Sequence, residues 1–156
     1  MLKALDHIVL VCPDIENGLE IYSVLLGSKP VWISKTDEIV SAIFRIENTA
    51  LELIAPIEGR LNEERFSKLL NGREGALTSL AFETDDIRKA HHLLKRRGLS
   101  PAEIHDGNSI DVNSKKHRHW QSFRCQDTHC AGIKTFILEQ RSGPLMAPAA
   151  EAGDVV

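Results

Sequence analysis

LDHIVLVCPDIENGLEIYSVLLGSKP at positions 5–30 and LTSLAFETDDIRKAHHLLKRRGLSP at positions 77–101 read as two copies of one unit, aligned with a single gap. Each opens on an alternating apolar run, the two-residue period of a half-buried strand. Each then passes an aspartate suited to accept from the unpaired N–H groups of a helix start. The apolar spacing next lengthens to that of a helix, with Ile15, Leu19, Tyr22 and Leu26 in one stripe and Ile87, Ala90, His91 and Leu94 in the other. Both helices are expected to stop at a glycine, Gly27 and Gly98, with a proline three residues on. Glycine enters the left-handed conformation at little cost, and proline cannot re-enter a helix.

Outward from these copies, strand-like runs follow each helix. The first half has VWIS at 31–34, IVSAIFRI at 39–46 and LELIA at 51–55; the second has HWQSFRC at 119–125, IKTFILEQ at 133–140 and a weaker extended stretch near 102–105. The reading is an α+β fold of two tandem βαβββ modules, at 1–56 and 76–140. A connector at 57–75 carries a short helix in NEERFSKLLNG, and the tail at 141–156, without periodicity, is expected to be mobile. Neither copy has an obvious cover for its own sheet, so the two are expected to close on each other around a cavity.

Composition narrows the function classes. A chain of 156 residues is long enough to bury a core without disulfides or a structural metal. Its formal charge of −3, with cations interleaved among acids, argues against a dedicated nucleic-acid or membrane-surface binder. The densest basic run, KKHRH at 115–119, reads as a solvated strand edge. MLKALDHIVLVCP is expected to be neither a signal peptide nor a span, since Asp6 and His7 interrupt a short apolar run. Three cysteines without framework spacing suit a reducing compartment, and the cytoplasm is the expected location.

The densest set of metal-ligand residue types is HRHWQSFRCQDTHC at 117–130. Zinc knuckles need two short ligand pairs presented by turns, and no CxxC or HxxxH pair occurs here. The stretch reads instead as a strand followed by the turn into the last strand. On that strand His117, His119, Gln121 and Phe123 share one face, and Arg118, Trp120, Ser122 and Arg124 the other.

LDHIVLVCPDI, LELIAP and the later echo LAFETDDI, in that order and duplicated, resemble the vicinal-oxygen-chelate superfamily over residues 3–140. That superfamily includes glyoxalases, methylmalonyl-CoA epimerases, extradiol dioxygenases and bleomycin-resistance proteins. The resemblance implies an open, cupped barrel with a divalent metal (Zn, Mn, Ni, Co or Mg) held by residues of the first and last strand of each module. Carried over residue by residue, the ligand positions fall on His7 and Glu52 in the first module and on Ser79 and Phe136 in the second. The first pair are ligand types; the second pair are not. Glu52 is also the expected catalytic carboxylate, and the pocket is expected to include Ser79, His119, Trp120, Phe123 and Phe136. His119 is a further candidate to replace the ligand missing at Ser79, while Trp120 and Arg118 are read first as packing and second as ligand contacts.

Three functions follow. One is a metal-assisted lyase or isomerase that polarises a carbonyl and moves a proton. A second is a metal-free enzyme with Glu52 as base and His7 or His119 orienting the substrate. The third is a binding or sequestering protein of the bleomycin-resistance type, whose cup captures a small molecule without chemistry. The resemblance also implies a homodimer.

Overall fold

The computed structural model describes residues 1–144, and in it each half follows one order. The first half is β1 (Leu2–Val11), α1 (Ile15–Leu26), β2 (Trp32–Lys35), β3 (Ile39–Ile46) and β4 (Thr49–Pro56). The connecting helix is α2 (Asn62–Leu70). The second half is β5 (Ala76–Thr84), α3 (Ile87–Arg96), β6 (His105–Ile110), β7 (His117–Cys125) and β8 (Lys134–Ser142).

Local chemistry sets the helix ends. Asp14 Oδ1 accepts from the backbone N–H groups of Glu16 (2.8 Å) and Asn17 (3.4 Å), and Asp86 Oδ1 accepts from Lys89 N–H at 2.9 Å. Gly27 and Gly98 lie past the C-termini with φ of 64° and 82°, a region that side chains with a Cβ rarely enter. The α1 stripe packs on Phe44, Leu51 and Leu53, and Ile87, Ala90 and Leu94 of α3 pack on Phe123 and Ile137. His91, the fourth member of that stripe, meets the Phe123 ring edge-on at 4.9 Å, and its Nε2 lies 2.9 Å from the Ala102 carbonyl, to which it donates.

All eight strands form one sheet in the order β2-β3-β4-β1-β5-β8-β7-β6. The halves meet where β1 and β5 pair antiparallel; within each half the first and last strands pair parallel. Those parallel registers coincide: Val9 pairs with Glu52, and Ala81 with Phe136. The sheet curls until its two edges approach. Val112 N–H donates to the Ile33 carbonyl at 2.8 Å, Ile33 N–H donates to Asp111 Oδ1 at 2.9 Å, and Trp32 Nε1–H donates to Ser109 Oγ at 2.8 Å. Helices α1 and α3 cover the convex face; the concave face is a cup, bordered by Asn62, Arg65, Phe66 and Leu69 of α2.

Three local expectations change. The extended stretch near 102–105 is displaced, since β6 begins only at His105. Arg141 and Ser142, assigned to the tail, continue β8, and the tail from residue 145 lies outside the described residues. The basic run is not a solvated edge. Lys115 and Lys116 precede β7, which lies between β8 and β6, and Arg118 within it is only 6% exposed.

Candidate functional site

The cup encloses a cavity of about 680 Å³. His7, Glu52, Ser79 and Phe136 reach it from the central strands β1, β4, β5 and β8, and Arg118 and Trp120 reach it from β7. Strand alternation explains this set, because residues two apart share a face. Val9, Val11, Ile43, Ile54 and Leu138 make much of the remaining wall apolar.

A break in that alternation builds the polar centre. The β1–β5 register shifts between Leu5 and His7, leaving Asp6 outside the ladder as a bulged residue. Asp6 and His7, neighbours in sequence, meet side by side, with Asp6 Oδ1 accepting from His7 Nδ1 at 2.6 Å. The other ring nitrogen, Nε2, lies 3.3 Å from Glu52 Oε2. The imidazole therefore sits between two carboxylates. Burial works to lower the His7 pKa, but hydrogen bonds and charge from Asp6 and Glu52 outweigh it and raise the value to about 9. Burial likewise works to raise the Glu52 pKa; the His7 imidazolium, the Arg118 charge and a hydrogen bond from Ser41 prevail and hold it below the usual glutamate value. Both shifts favour an ionised pair.

Arg118 is the other charged feature of the cup. Its guanidinium lies over the Trp120 ring at 4.8 Å from the centroid and over Trp32 at 5.8 Å. The Trp120 ring lies flat against β6, which is possible because its cross-strand partner is Gly107: a Cβ there would lie inside the indole. Trp32 is fixed by its bond to Ser109.

Of the sequence-derived candidates, His7, Glu52, Ser79, Trp120 and Phe136 line the cavity. His119 and Phe123 do not, which corrects their assignment to the pocket. They share the convex face of β7, where Phe123 is 1% exposed beneath α3, and the His119 side chain is 44% exposed and faces Asp106 at 3.3 Å. The opposite face, carrying Arg118 and Trp120, turns inward. Sequence reasoning missed Asp6, because a bulge defeats strict alternation. It also undervalued Arg118, although sharing a face with Trp120 and Ser122 rather than with Phe123 was a usable signal.

The residues present do not fit the divalent metal that the sequence resemblance implies. Of the four ligand positions only His7 and Glu52 carry donors of the right kind; Ser79 offers a neutral hydroxyl and Phe136 nothing. Asp6 does not complete the set, because it binds the far side of the imidazole, and no group of three or more His, Cys, Asp or Glu among the described residues converges on one point. His119 is outside the cup. Arg118, close enough to pull down the Glu52 pKa, adds a fixed positive charge where a cation would bind.

Residues 6–113 match the family model described as the Glyoxalase/Bleomycin resistance protein/Dioxygenase superfamily. No curated protein sequence matches significantly. Among solved structures, a methylmalonyl-CoA epimerase from Mycobacterium tuberculosis is similar at 18% identity over 90% of each chain, with a TM-score of 0.71. A methylmalonyl-CoA epimerase in complex with methylmalonyl-CoA and NH4+ is 19% identical over 95% of this chain and 100% of the other, with a TM-score of 0.72. A Streptomyces coelicolor methylmalonyl-CoA epimerase variant in complex with 2-nitronate-propionyl-CoA is 18% identical over 91% of this chain and 100% of the other, with a TM-score of 0.71. At these identities the likeness establishes the fold.

Proposed function

Because this chain belongs to the glyoxalase/bleomycin resistance protein/dioxygenase superfamily, we propose that it is an isomerase-type enzyme moving a proton next to a carbonyl of a small oxygenated metabolite. The observation that carries this reading is the 3.3 Å contact between His7 Nε2 and Glu52 Oε2 inside the cavity. Epimerases among the structural neighbours support an isomerase over a lyase.

The chemistry runs through the chain's own groups. A substrate carbonyl oxygen takes the Nε2–H of His7 in place of Glu52, and the imidazolium, oriented by Asp6, polarises it. That exchange removes from Glu52 the hydrogen bond that helps keep its pKa low, so the carboxylate becomes a better base as the substrate arrives. Glu52 takes the proton from the neighbouring carbon, leaving an enolate whose oxygen is stabilised by His7 and by the Arg118 charge. With a 2-hydroxy carbonyl substrate the enolate is an enediolate: its hydroxyl proton passes to the former carbonyl oxygen, and Glu52 returns the carbon-bound proton to the former carbonyl carbon, which completes the isomerisation.

The test uses untagged protein treated with a chelator, in heavy water, with a panel of 2-oxo acids, hydroxyketones and thioesters. Exchange of the carbon-bound proton is followed by NMR. The wild type should exchange at least one substrate above the buffer rate, and Glu52→Gln should lose about 100-fold or more. Exchange that vanishes on chelation and returns with a divalent ion would refute the metal-independent reading. A second reading, capture without chemistry, is favoured by the apolar walls around Trp120 and Phe136; saturable binding of a ligand with no exchange by any substrate would establish it.

Two accompanying proposals are coarser. A homodimer is the family expectation, and sedimentation of the full chain decides it. Three unpaired cysteines support a reducing compartment such as the cytoplasm; no helix of the described residues is long and apolar enough to cross a membrane.

A further inference from the structure

We propose that Arg118 anchors a carboxylate of the ligand, so that the cavity selects a small organic acid with an apolar remainder. The inference rests on the reading of this cavity as the functional site, though not on the chemistry assigned to Glu52. A guanidinium removed from water costs free energy unless it is paired and hydrogen-bonded. Arg118 is 6% exposed and lines the cavity, yet its Nε is buried without a hydrogen-bond partner. Among the described residues no carboxylate lies within ion-pair distance of it: Glu52 acts on it only at longer range and is already engaged with His7. The faces of Trp32 and Trp120 stabilise the cation and hold its plane. They have no hydrogen-bond acceptor to offer its N–H groups. A fixed, planar fork of unused donors matches the two oxygens of a carboxylate.

The charge around the cup agrees. Although the chain carries a net charge of −3, Glu52 is, among the described residues, the only acid lining the cavity, whereas Lys35, Arg65 and Lys134 line it together with Arg118. Arg124 also lines it but is committed to Asp127 at 2.7 Å. A mouth of this kind concentrates anions and speeds their entry. A carboxylate fits better than a phosphate, since the extra phosphate oxygens would face indole rings and aliphatic walls. Beyond the anchor, Ile43, Phe136 and Leu138 offer an apolar surface for the rest of the molecule.

The chain's two tryptophans both flank Arg118, so intrinsic fluorescence reports on this site directly. The experiment titrates the full chain with benzoate, phenylacetate, 3-phenylpropanoate and phenylpyruvate, with the corresponding neutral amides, and with phenyl phosphate. At least one acid should bind about tenfold or more tightly than its amide, the preference expected of one charge-assisted fork. Arg118→Gln should bring acid and amide together, and Arg118→Lys should keep part of the preference by retaining charge without the fork. The wild-type acid-to-amide ratio needs no variant to fold. Equal binding of acids and amides, no binding of any acid, or tighter binding of phenyl phosphate than of every acid overturns the proposal. Glu52→Gln separates the two readings: it should abolish exchange while leaving the acid preference intact. Exchange without acid preference sinks the anchor alone, and acid preference without exchange sinks the isomerase alone.

Discussion

Beneath α1 lies Phe44 and beneath α3 lies Phe123, 0% and 1% exposed, each filling the same role on the convex face of its own half. On the concave face the halves part company: where the first presents His7 and Glu52, the second presents Ser79 and Phe136 at coincident register. The convex face is held alike in both halves because each helix must bury its stripe or the fold is lost. The concave face answers only to the ligand. A chelating site needs donors from both halves. Here one half supplies the hydrogen-bonded His7–Glu52 pair, and the other supplies a cation held between its own Trp120 and the first half's Trp32. On the proposed reading, that division separates proton transfer from anchoring.

The shared convex face gives the largest effect. Phe44→Ala and Phe123→Ala should each cost about 3–5 kcal/mol, the usual loss for emptying a fully buried aromatic site. Urea unfolding of the two variants should place them within about 1 kcal/mol of each other, given their matched burial. A much smaller cost at one of them would show that its half can collapse around the gap and that the outer symmetry is only apparent.

The inner face should break the symmetry in its response to pH. His7 has a folded pKa raised from 6.5 to about 9, so its contribution is fully present below pH 6.5 and is lost as pH rises through about 9. The shift corresponds to about 3 kcal/mol. Glu52 is depressed below 4.5, so its contribution is present above that value and is lost as pH falls. Asp111 is depressed as well: burial works to raise it, but backbone N–H groups of Ile33 and Ser114 prevail, so it too loses its contribution in acid. Stability should therefore hold a plateau from about pH 5 to 6.5 and decline toward pH 9. His7→Gln should flatten the alkaline decline, whereas Ser79→Ala, at the matching place in the other half, should leave the slope unchanged. Chemical denaturation at stepped pH measures both, and an alkaline decline surviving in His7→Gln would remove the imidazolium from the centre of the first half.

The same contrast explains what the sequence disclosed. The helices were legible because their signals are local: an aspartate at each start, a stripe, a glycine at each end. The pairing of Glu52 with Phe136 followed from the duplication and matches the observed register. Alternation in β7 sorted its residues correctly into two faces without saying which one looks inward. That choice depends on where α3 packs, and α3 packs on Phe123, so His119 went out with it and Arg118 came in. A charge in a strand reads as solvated until the surrounding sheet is known to curl over it. Asp6 was hidden for a different reason: the bulge that turns it toward His7 is a property of pairing with β5, and pairing leaves little trace in one strand's residues.

The smallest expected effect distinguishes the halves at their helix starts. At α1 the side-chain acceptor is Asp14, serving Glu16 N–H and Asn17 N–H. At α3 the work is divided, with Asp86 serving Lys89 N–H while Glu139 Oε2, reaching over from β8, accepts from Ile87 N–H at 2.8 Å. Removing Asp14 leaves both of its donors without a side-chain partner, whereas removing Asp86 leaves Glu139 in place near the positive end of the helix. Asp14→Ala should therefore cost about 1–2 kcal/mol and Asp86→Ala about 0.5–1 kcal/mol, within the range for lost N-caps. Adding Glu139→Gln to Asp86→Ala should cost more than the two single changes combined, because the pair share one helix terminus. Thermal unfolding of the four variants, Asp14→Ala, Asp86→Ala, Glu139→Gln and the double change, gives the comparison, and strict additivity would mean that Glu139 and Asp86 do not share the support of this end of α3.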